Sequence, residues 1–190
     1  MANLYVRSTD GSNADNGSTW ALAKATLAGA SAIDAAGDFI FLSQAHAESS
    51  ATAQTIALAG VSSNPVRIVG ALDTAEPPTD VSLAPTVTTT SGAITINGAA
   101  YVYGVGFVSA TSIALNGGTD NVSQVYENCA FRTNSASSSG SINVGASNTQ
   151  TKSVHLKNCS MRFSGANNQV IASGSALIID GGSVLSGSST

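Results

Sequence analysis

Apolar residues recur along this chain in short alternating segments rather than in long runs. Four segments of the form apolar–x–apolar, each followed by a turn, begin at Ile94, Ile113, Ile142 and Val170. A second type of segment follows each of these and ends on Phe107, Phe131, Met161 and Val184, at intervals of 24, 30 and 23 residues. Alternation predicts short strands with one buried face. A period of about 20–30 residues without helices predicts a β-solenoid, in which neighbouring coils bury the inward side chains of each coil.

The first 38 residues follow a different pattern, which predicts an N-terminal cap. Leu4-Tyr5-Val6 is expected to form a short strand, and a turn-rich stretch follows it up to Gly17. Ser18 or Thr19 is then expected to cap a single helix, because a hydroxyl can accept from the free N–H groups of the first turn. The apolar face of that helix would carry residues at spacings of three and four, namely Trp20, Ala23, Leu27 and Ala30.

The remainder of the chain is expected to form one domain with this cap. Parallel β-helix coils would begin at Phe39 and continue to residue 190. A loop excursion is expected at residues 71–90, where Pro77, Pro78 and Pro85 interrupt the strand pattern and a surface contact is one open alternative. The result is a single domain with a cap over residues 1–38.

Alignment of the repeats places identical residues beside each other in neighbouring coils. Asn128 is expected to stack on Asn158, and Cys129 on Cys159, about 4.8 Å apart along the axis. Asparagine amides in register can pass hydrogen bonds from coil to coil. The thiols are expected to stay reduced, because parallel Cα–Cβ vectors hold their Cβ atoms farther apart than a disulfide prefers.

Three segments resemble a known family. Residues 8–49 carry an Asn-Asp-Gly-type turn, a Thr-Leu helix and a Gly-Asp-apolar-apolar strand. The segment SSNPVRIVGALD spans residues 62–73, and an Asn-Cys-x-apolar segment begins at both Asn128 and Asn158. Together they resemble the pectin-lyase-like superfamily. The resemblance implies an all-β fold, a single-stranded right-handed parallel β-helix with a short N-terminal capping helix. That fold hosts lyases, hydrolases, adhesins and phage virion proteins, so it does not fix an activity.

Composition excludes several classes of protein. Charged residues make up 9% of the chain and the net charge is −4, which argues against a nucleic-acid partner because phosphate binding needs a basic surface. Apolar residues make up 43%, which argues against disorder. No apolar run is long enough to span a membrane, so no membrane partner is expected. The first residues carry no secretory signal pattern, so synthesis in a host cytoplasm is expected.

The acidic residues do not form a catalytic pattern. Hydrolases of this fold need paired carboxylates, whereas in the aligned coils only Glu127 and Asp180 share a column, on either side of Lys157. We therefore expect no catalytic residue, no cofactor and no metal site. Oxygens that could bind Ca²⁺ are offered by Asp10, Asn13, Asp15 and Asn16, but these residue types are also typical of tight turns. His46 is expected to be isolated and His155 to face solvent.

Three residues are expected to contact partners. Arg132 and Arg162 occupy the same position in successive coils, and two stacked guanidinium groups repel unless an anion, such as a partner's carboxylate, lies nearby. Leu185 lies in the last coil, which the sequence gives no helix to cover. Open strand edges recruit partners, so either the protein continues beyond this sequence or another protein covers that end.

A chain of this fold that is rich in Ser, Thr, Ala and Gly most resembles bacteriophage virion components, and the resemblance implies a non-enzymatic virion protein that decorates or stabilises the capsid surface. Its expected partners are the major capsid protein or tail proteins, together with further copies of itself. A tail fibre or tail spike component is the nearest alternative, and a lower copy number in the particle would distinguish it. A polysaccharide-binding or polysaccharide-cleaving protein is the alternative of another class, disfavoured by the scarce acids and the single Trp.

Overall fold

The computed structural model describes residues 1–115, 122–134, 140–145, 152–164, 169–173 and 175–187. Its strands form three sheets, and every pairing between these strands is parallel. The chain visits the three sheets in turn, so that each turn of the chain adds one strand to each sheet. The predicted fold is confirmed as a right-handed parallel β-helix with little helix.

Strand order within each sheet follows the order of the coils. Sheet A contains β1 Asn3–Val6, β2 Phe39–Ser43, β5 Val66–Ala71, β8 Ala100–Tyr103, β11 Ser123–Glu127, β14 Lys152–Lys157 and β17 Ser175–Asp180. Sheet B contains β3 Ala47–Ser50, β6 Thr86–Thr89, β9 Gly106–Ser109, β12 Ala130–Thr133, β15 Ser160–Ser164 and β18 Ser183–Gly187. Sheet C contains β4 Gln54–Ala57, β7 Ile94–Asn97, β10 Ser112–Leu115, β13 Ser141–Val144 and β16 Gln169–Ala172.

The core consists of columns of inward side chains that run along the axis. The predicted register is confirmed, since Phe107, Phe131, Met161 and Val184 pair in sequence across sheet B. The rings of Phe107 and Phe131 stack with centroids 5.7 Å apart and planes inclined by 13°. Tyr126 packs edge-on against Phe131 from sheet A. Full burial of each large apolar side chain contributes about 1.5–3 kcal/mol, so the columns stabilise the fold along its whole length.

The cap differs from the single helix that the spacing predicts. A short 3-10 helix spans Trp20–Leu22, with the Thr19 hydroxyl accepting from Leu22 N. Helix α1 spans Leu27–Ser31 and is capped by Thr26, whose hydroxyl accepts from Gly29 N. Lys24 lies between them and forms a parallel bridge with Val6, which interrupts the helical hydrogen bonds. The predicted common face is therefore wrong.

The two halves of the predicted face pack in different places. Leu27 and Ala30 belong to the main core inside the coils. Trp20 and Ala23 instead pack outside sheet A with Tyr5 and Phe41. Because β1 pairs with β2, the cap also supplies the first strand of sheet A.

One position between sheets A and B adopts a left-handed backbone conformation in four coils. Gly104, Asn128, Asn158 and Gly181 have φ values of 73°, 52°, 48° and 70°. The predicted asparagine ladder is present, because Asn158 Nδ2 donates to Asn128 Oδ1. Cys129 and Cys159 follow in register as free, buried thiols. Burial raises the pKa of the Cys129 thiol well above its ordinary value.

The excursion replaces this two-residue turn in a single coil. It occupies residues 72–85, which is shorter than the predicted 71–90 because Ala71 ends β5 and Thr86–Thr89 forms β6. Val81 bridges Ala71, and Ser82 N donates to Gly70 O, so the excursion is hydrogen-bonded back to the coil. Val81 and Leu83 remain exposed on its outer side.

Candidate assembly surface and outer groove

The last coil exposes apolar side chains at positions that are buried in every earlier coil. Ile179 follows Leu156 in the same inward column of sheet A, and Val184 follows Met161 in sheet B. Leu156 and Met161 are 0% and 1% exposed, whereas Ile179 and Val184 are 50% and 56% exposed. Within the described residues no further coil covers them. Strands β16, β17 and β18 are accordingly the outermost strands of their sheets.

The residues expected to contact partners lie in one column. Arg132 pairs with Arg162 in register, and Arg162 pairs in turn with Leu185. Both arginines are exposed, since the neighbouring Phe131 and Met161 point into the core and successive side chains alternate. Only the backbone register of Leu185 is described. The alignment of these three residues could be predicted from the sequence. Each of them directly follows an inward residue of its coil, and the inward residues stack in register.

The acidic side chains are largely engaged in structural contacts. Asp38 accepts from the backbone N–H groups of Ala2 and Ala35. Burial tends to raise the pKa of Asp73, but hydrogen bonds from Ser43, Gln44 and Arg7 lower it overall. Five other carboxylates accept hydrogen bonds from backbone N–H groups, an arginine or a tyrosine hydroxyl: Asp10, Asp34, Glu48, Glu76 and Glu127. Among the described residues, no group of three or more His, Cys, Asp or Glu side chains is placed to hold a metal ion.

The loop with candidate calcium ligands is organised as turns. Asn13 Oδ1 accepts from the backbone N–H groups of Ala25 and Thr26 and so ties the loop to the start of α1. Asn16 Oδ1 accepts from Ser18 N, which is an Asx turn. Asp10 forms an ion pair with Arg7. These oxygens therefore have structural partners within the protein.

His46 is not isolated, which corrects the prediction. Its Nε2 lies 3.0 Å from Glu48 Oε2, and the same oxygen accepts from Leu27 N at the start of α1. Both side chains are buried, and Glu48 pairs with Val87 at the foot of the inward column that continues into Phe107. The His46–Glu48 pair is thus a buried polar contact between the cap and the first coil. His155 lies on the outer face as expected, but half-buried, with Nε2 shielded from solvent.

The structure also contains an outer groove of about 380 Å³ that the sequence reasoning missed. Its floor is apolar and comes from strands of sheet A and from the excursion, through Phe39, Phe41, Val69, Pro77, Pro78 and Val81. Asn3, Thr79 and Asp80 supply polar groups at its edge. The signal was Phe39-Ile40-Phe41-Leu42, since a strand without alternation has both faces covered. Phe39 and Phe41 stack with centroids 5.7 Å apart.

Comparison of this chain with family models, with curated proteins and with solved structures finds no match to any of them. Across the described residues, no helix has the length and apolar character needed to cross a membrane. Function is therefore inferred from the geometry of the surfaces.

Proposed function

We propose that this protein is a non-enzymatic structural component of a bacteriophage virion, which decorates or stabilises the capsid surface through its last coil. The exposed apolar end of the last coil carries this proposal. Inward-column side chains of the outermost strands are exposed at Val170, Ile179 and Val184, and Ile171 and Ile178 are exposed on the outer face beside them. Such a surface is a site for protein contact, because apolar area leaves water on binding and open strand edges can pair.

Two further features support a structural role. The chain has few acids, and most of the described ones are hydrogen-bonded or ion-paired within the fold, which favours a structural role for them over glycoside chemistry. The resemblance of residues 8–49 to pectin-lyase-like β-helix proteins supports the virion setting, since that fold also builds phage particles. A tail location is distinguished from a capsid location by the copy number of the protein in intact particles.

The test is binding of the purified chain to assembled capsids. We expect the native chain to co-sediment with capsids at a stoichiometry close to that of the major capsid protein. Ile179→Lys and Leu185→Lys are expected to weaken binding at least tenfold, because a charge in the contact loses its hydration.

The matched control is Val61→Lys, because Val61 is 48% exposed but lies far from the last coil. This variant should bind like the native chain, and all variants should keep native circular dichroism spectra. Equal binding by Val61→Lys and Ile179→Lys would reject the last coil as the contact. If the native chain does not bind capsids and instead shortens polysaccharides, the structural function itself is rejected.

The outer groove favours a second candidate function, binding of a polysaccharide without cleavage. A sugar ring has an apolar face and a rim of hydroxyl groups. The aromatic floor at Phe39 and the polar edge at Asn3 and Asp80 match that chemistry. The volume of about 380 Å³ suits one or two sugar units.

Calorimetric titration with defined neutral and acidic oligosaccharides tests this second candidate. Phe39→Ala should weaken binding at least tenfold, whereas Tyr103→Ala should leave it unchanged, because Tyr103 lies on the same sheet but outside the groove. Product analysis should find oligosaccharides of unchanged length. Absence of binding by the native chain would reject this candidate and leave the first untouched.

A further inference from the structure

Positive charge is concentrated in one stretch of this acidic protein. The chain has seven basic residues and eleven acidic ones, yet no Asp or Glu occurs between Glu127 and Asp180. That stretch contains four of the seven basic residues, which are Arg132, Lys152, Lys157 and Arg162. The two coils that comprise β11 to β16 therefore carry a local positive charge, although the whole protein is negative.

The other described cations each have a partner or an acidic register neighbour within the fold. Arg7 forms ion pairs with Asp10 and Asp73, and Lys24 Nζ donates to Asn13 O. Arg67 lies over the ring of Phe39, at 5.2 Å from the centroid. Lys157 lies in register between Glu127 and Asp180.

Among the described residues, Arg132 and Arg162 have no such neighbours. The described residues offer neither arginine an ion pair, and no outward position on the described strands of sheet B is acidic. The segments next to them that the structure does not describe, 135–139 and 165–168, contain no acid in their sequence either. The two side chains are register neighbours about 4.8 Å apart at Cα, so their charges repel.

The outward positions next to the two arginines carry small side chains. Ala130 and Ser160 flank them on one side in register, and Val108 lies in the same column one coil before Arg132. Small side chains leave room for a polypeptide to lie against the strands. An open surface of this kind holds a free ion weakly, because it contributes few donors and no enclosure.

We infer that the Arg132–Arg162 column is a docking surface for an acidic segment of another protein, which supplies carboxylates to both guanidinium groups. A guanidinium matches a carboxylate in shape and donates two parallel hydrogen bonds to it. Alternate residues of an extended segment place their side chains about 6.6 Å apart on one face, within reach of both arginines. The inference rests on the proposed function only in that both require contact with another protein.

The arginine side chains themselves provide the test. The chain contains only four arginines, at positions 7, 67, 132 and 162, so a ¹⁵N–¹H spectrum resolves one Nε–H signal for each. The probe is a ten-residue peptide of alternating glutamate and serine, with a glutamine–serine peptide of equal length as its control. The acidic peptide should shift the signals of Arg132 and Arg162 and leave those of Arg7 and Arg67 in place. The glutamine peptide should shift none.

Single substitutions then separate specific docking from general charge attraction. Arg132→Gln and Arg162→Gln should each weaken peptide binding by roughly threefold or more, and raising NaCl from 0.02 to 0.3 M should weaken it further, both magnitudes typical of exposed charge pairs. Lys157→Gln is the matched control, since it removes one positive charge from the coil that contains Arg162, but on sheet A instead of sheet B. Equal weakening by Lys157→Gln would overturn the inference.

Stability supplies a second readout. If the arginines repel each other in the free protein, Arg162→Gln leaves the urea midpoint unchanged or raises it at low salt. A lowered midpoint would mean that an intramolecular partner holds Arg162, which overturns the inference. Tighter binding of inorganic phosphate or of a heparin fragment than of the acidic peptide would also overturn it, in favour of a nucleic-acid or sulfated-glycan surface.

The capsid assay distinguishes the failure of this inference from the failure of the proposed function. If Ile179→Lys abolishes capsid binding while the double variant Arg132→Gln/Arg162→Gln binds normally, assembly through the last coil stands and the acidic-segment surface is rejected. If the acidic peptide shifts both arginine signals but the native chain does not bind capsids, the docking surface stands and the virion role is rejected.

Discussion

At the scale of single residues, asparagine serves two purposes in the turn between sheets A and B. At Asn128 and Asn158 the backbone is left-handed, a conformation that asparagine tolerates better than most residues with a side chain. The amide of each side chain also takes part in the ladder. Glycine at positions 104 and 181 meets the backbone requirement alone.

Substitution at Asn158 separates these two contributions. Asn158→Gly keeps the left-handed backbone and loses the ladder hydrogen bond, which should lower the free energy of unfolding by about 0.5–1 kcal/mol. Asn158→Ala adds the cost of a left-handed alanine, for a total of about 1.5–2.5 kcal/mol. Urea unfolding measures both values. Equal effects of the two variants would contradict a backbone role for asparagine.

Asp34 gives a pH dependence of stability whose sign is fixed by burial. Burial raises the pKa of Asp34 to about 6, with a contribution from nearby Asp38 and an opposing hydrogen bond from Ala59 N. The folded protein therefore binds a proton between about pH 4 and 6 that the unfolded chain does not, so this group's contribution to stability decreases as pH rises through that range. Above pH 6 the half-buried charge destabilises the fold.

Asp34→Asn should remove this effect. At pH 7 the variant should be more stable by about 1 kcal/mol, because the amide can still accept from Ala59 N without a half-buried charge. Urea unfolding at pH 4.5 and 7 measures the difference, which should shrink at the lower pH. The exposed Asp80→Asn is the control, and an equal gain there would point to net charge rather than to burial.

At the scale of elements, each strand separates a buried face from an outer one. In β14, Leu156 is fully buried between Tyr126 and Ile179 of the neighbouring coils, whereas His155 lies outside between Val125 and Ile178. Leu156→Asp should prevent folding, because a carboxylate buried in the column finds no partner. His155→Asp should yield soluble protein with a cooperative thermal transition. Similar solubility and melting of the two variants would contradict this assignment of faces.

The turn elements show how the fold accommodates an insertion. Most coils pass from sheet A to sheet B through two residues, whereas the second coil uses residues 72–85. The coil register continues without a shift, because Thr86 pairs with both Ala47 and Gly106. A surface loop of this length costs little in closure entropy, so it can vary without disturbing the columns.

At the scale of the whole molecule, stability should decrease towards the last coil. Each inner coil is held by neighbours on both sides, whereas β16, β17 and β18 pair on one side only within the described residues. Native-state hydrogen exchange should therefore be slowest at β8 and β11 and fastest at β17 and β18. Capsid binding through the last coil should slow exchange at β17. Uniform exchange rates along the axis would contradict this description.

The sequence by itself determined the repeating part of this protein. From Ile94 onwards the strand positions, the inward columns, the asparagine ladder and the alignment of Arg132, Arg162 and Leu185 follow from alternation and from the repeat interval, because coils of similar pattern stack in register. Each of these features depends on residues within one or two coils, so local patterns specify them.

The tertiary structure alone decided the features that depend on distant contacts. The bridge between Val6 and Lys24 divides the expected helix. Glu48 occupies an inward position, where its Oε2 lies beside His46 Nε2 and accepts from the N–H of Leu27, a pairing between coil and cap that no repeat pattern encodes. The outer groove forms where residues 77–81 meet Phe39 and Phe41, nearly forty residues earlier in the chain. Contacts of this kind join residues that are far apart in the sequence and occur only once in the fold. A periodic pattern therefore does not predict them.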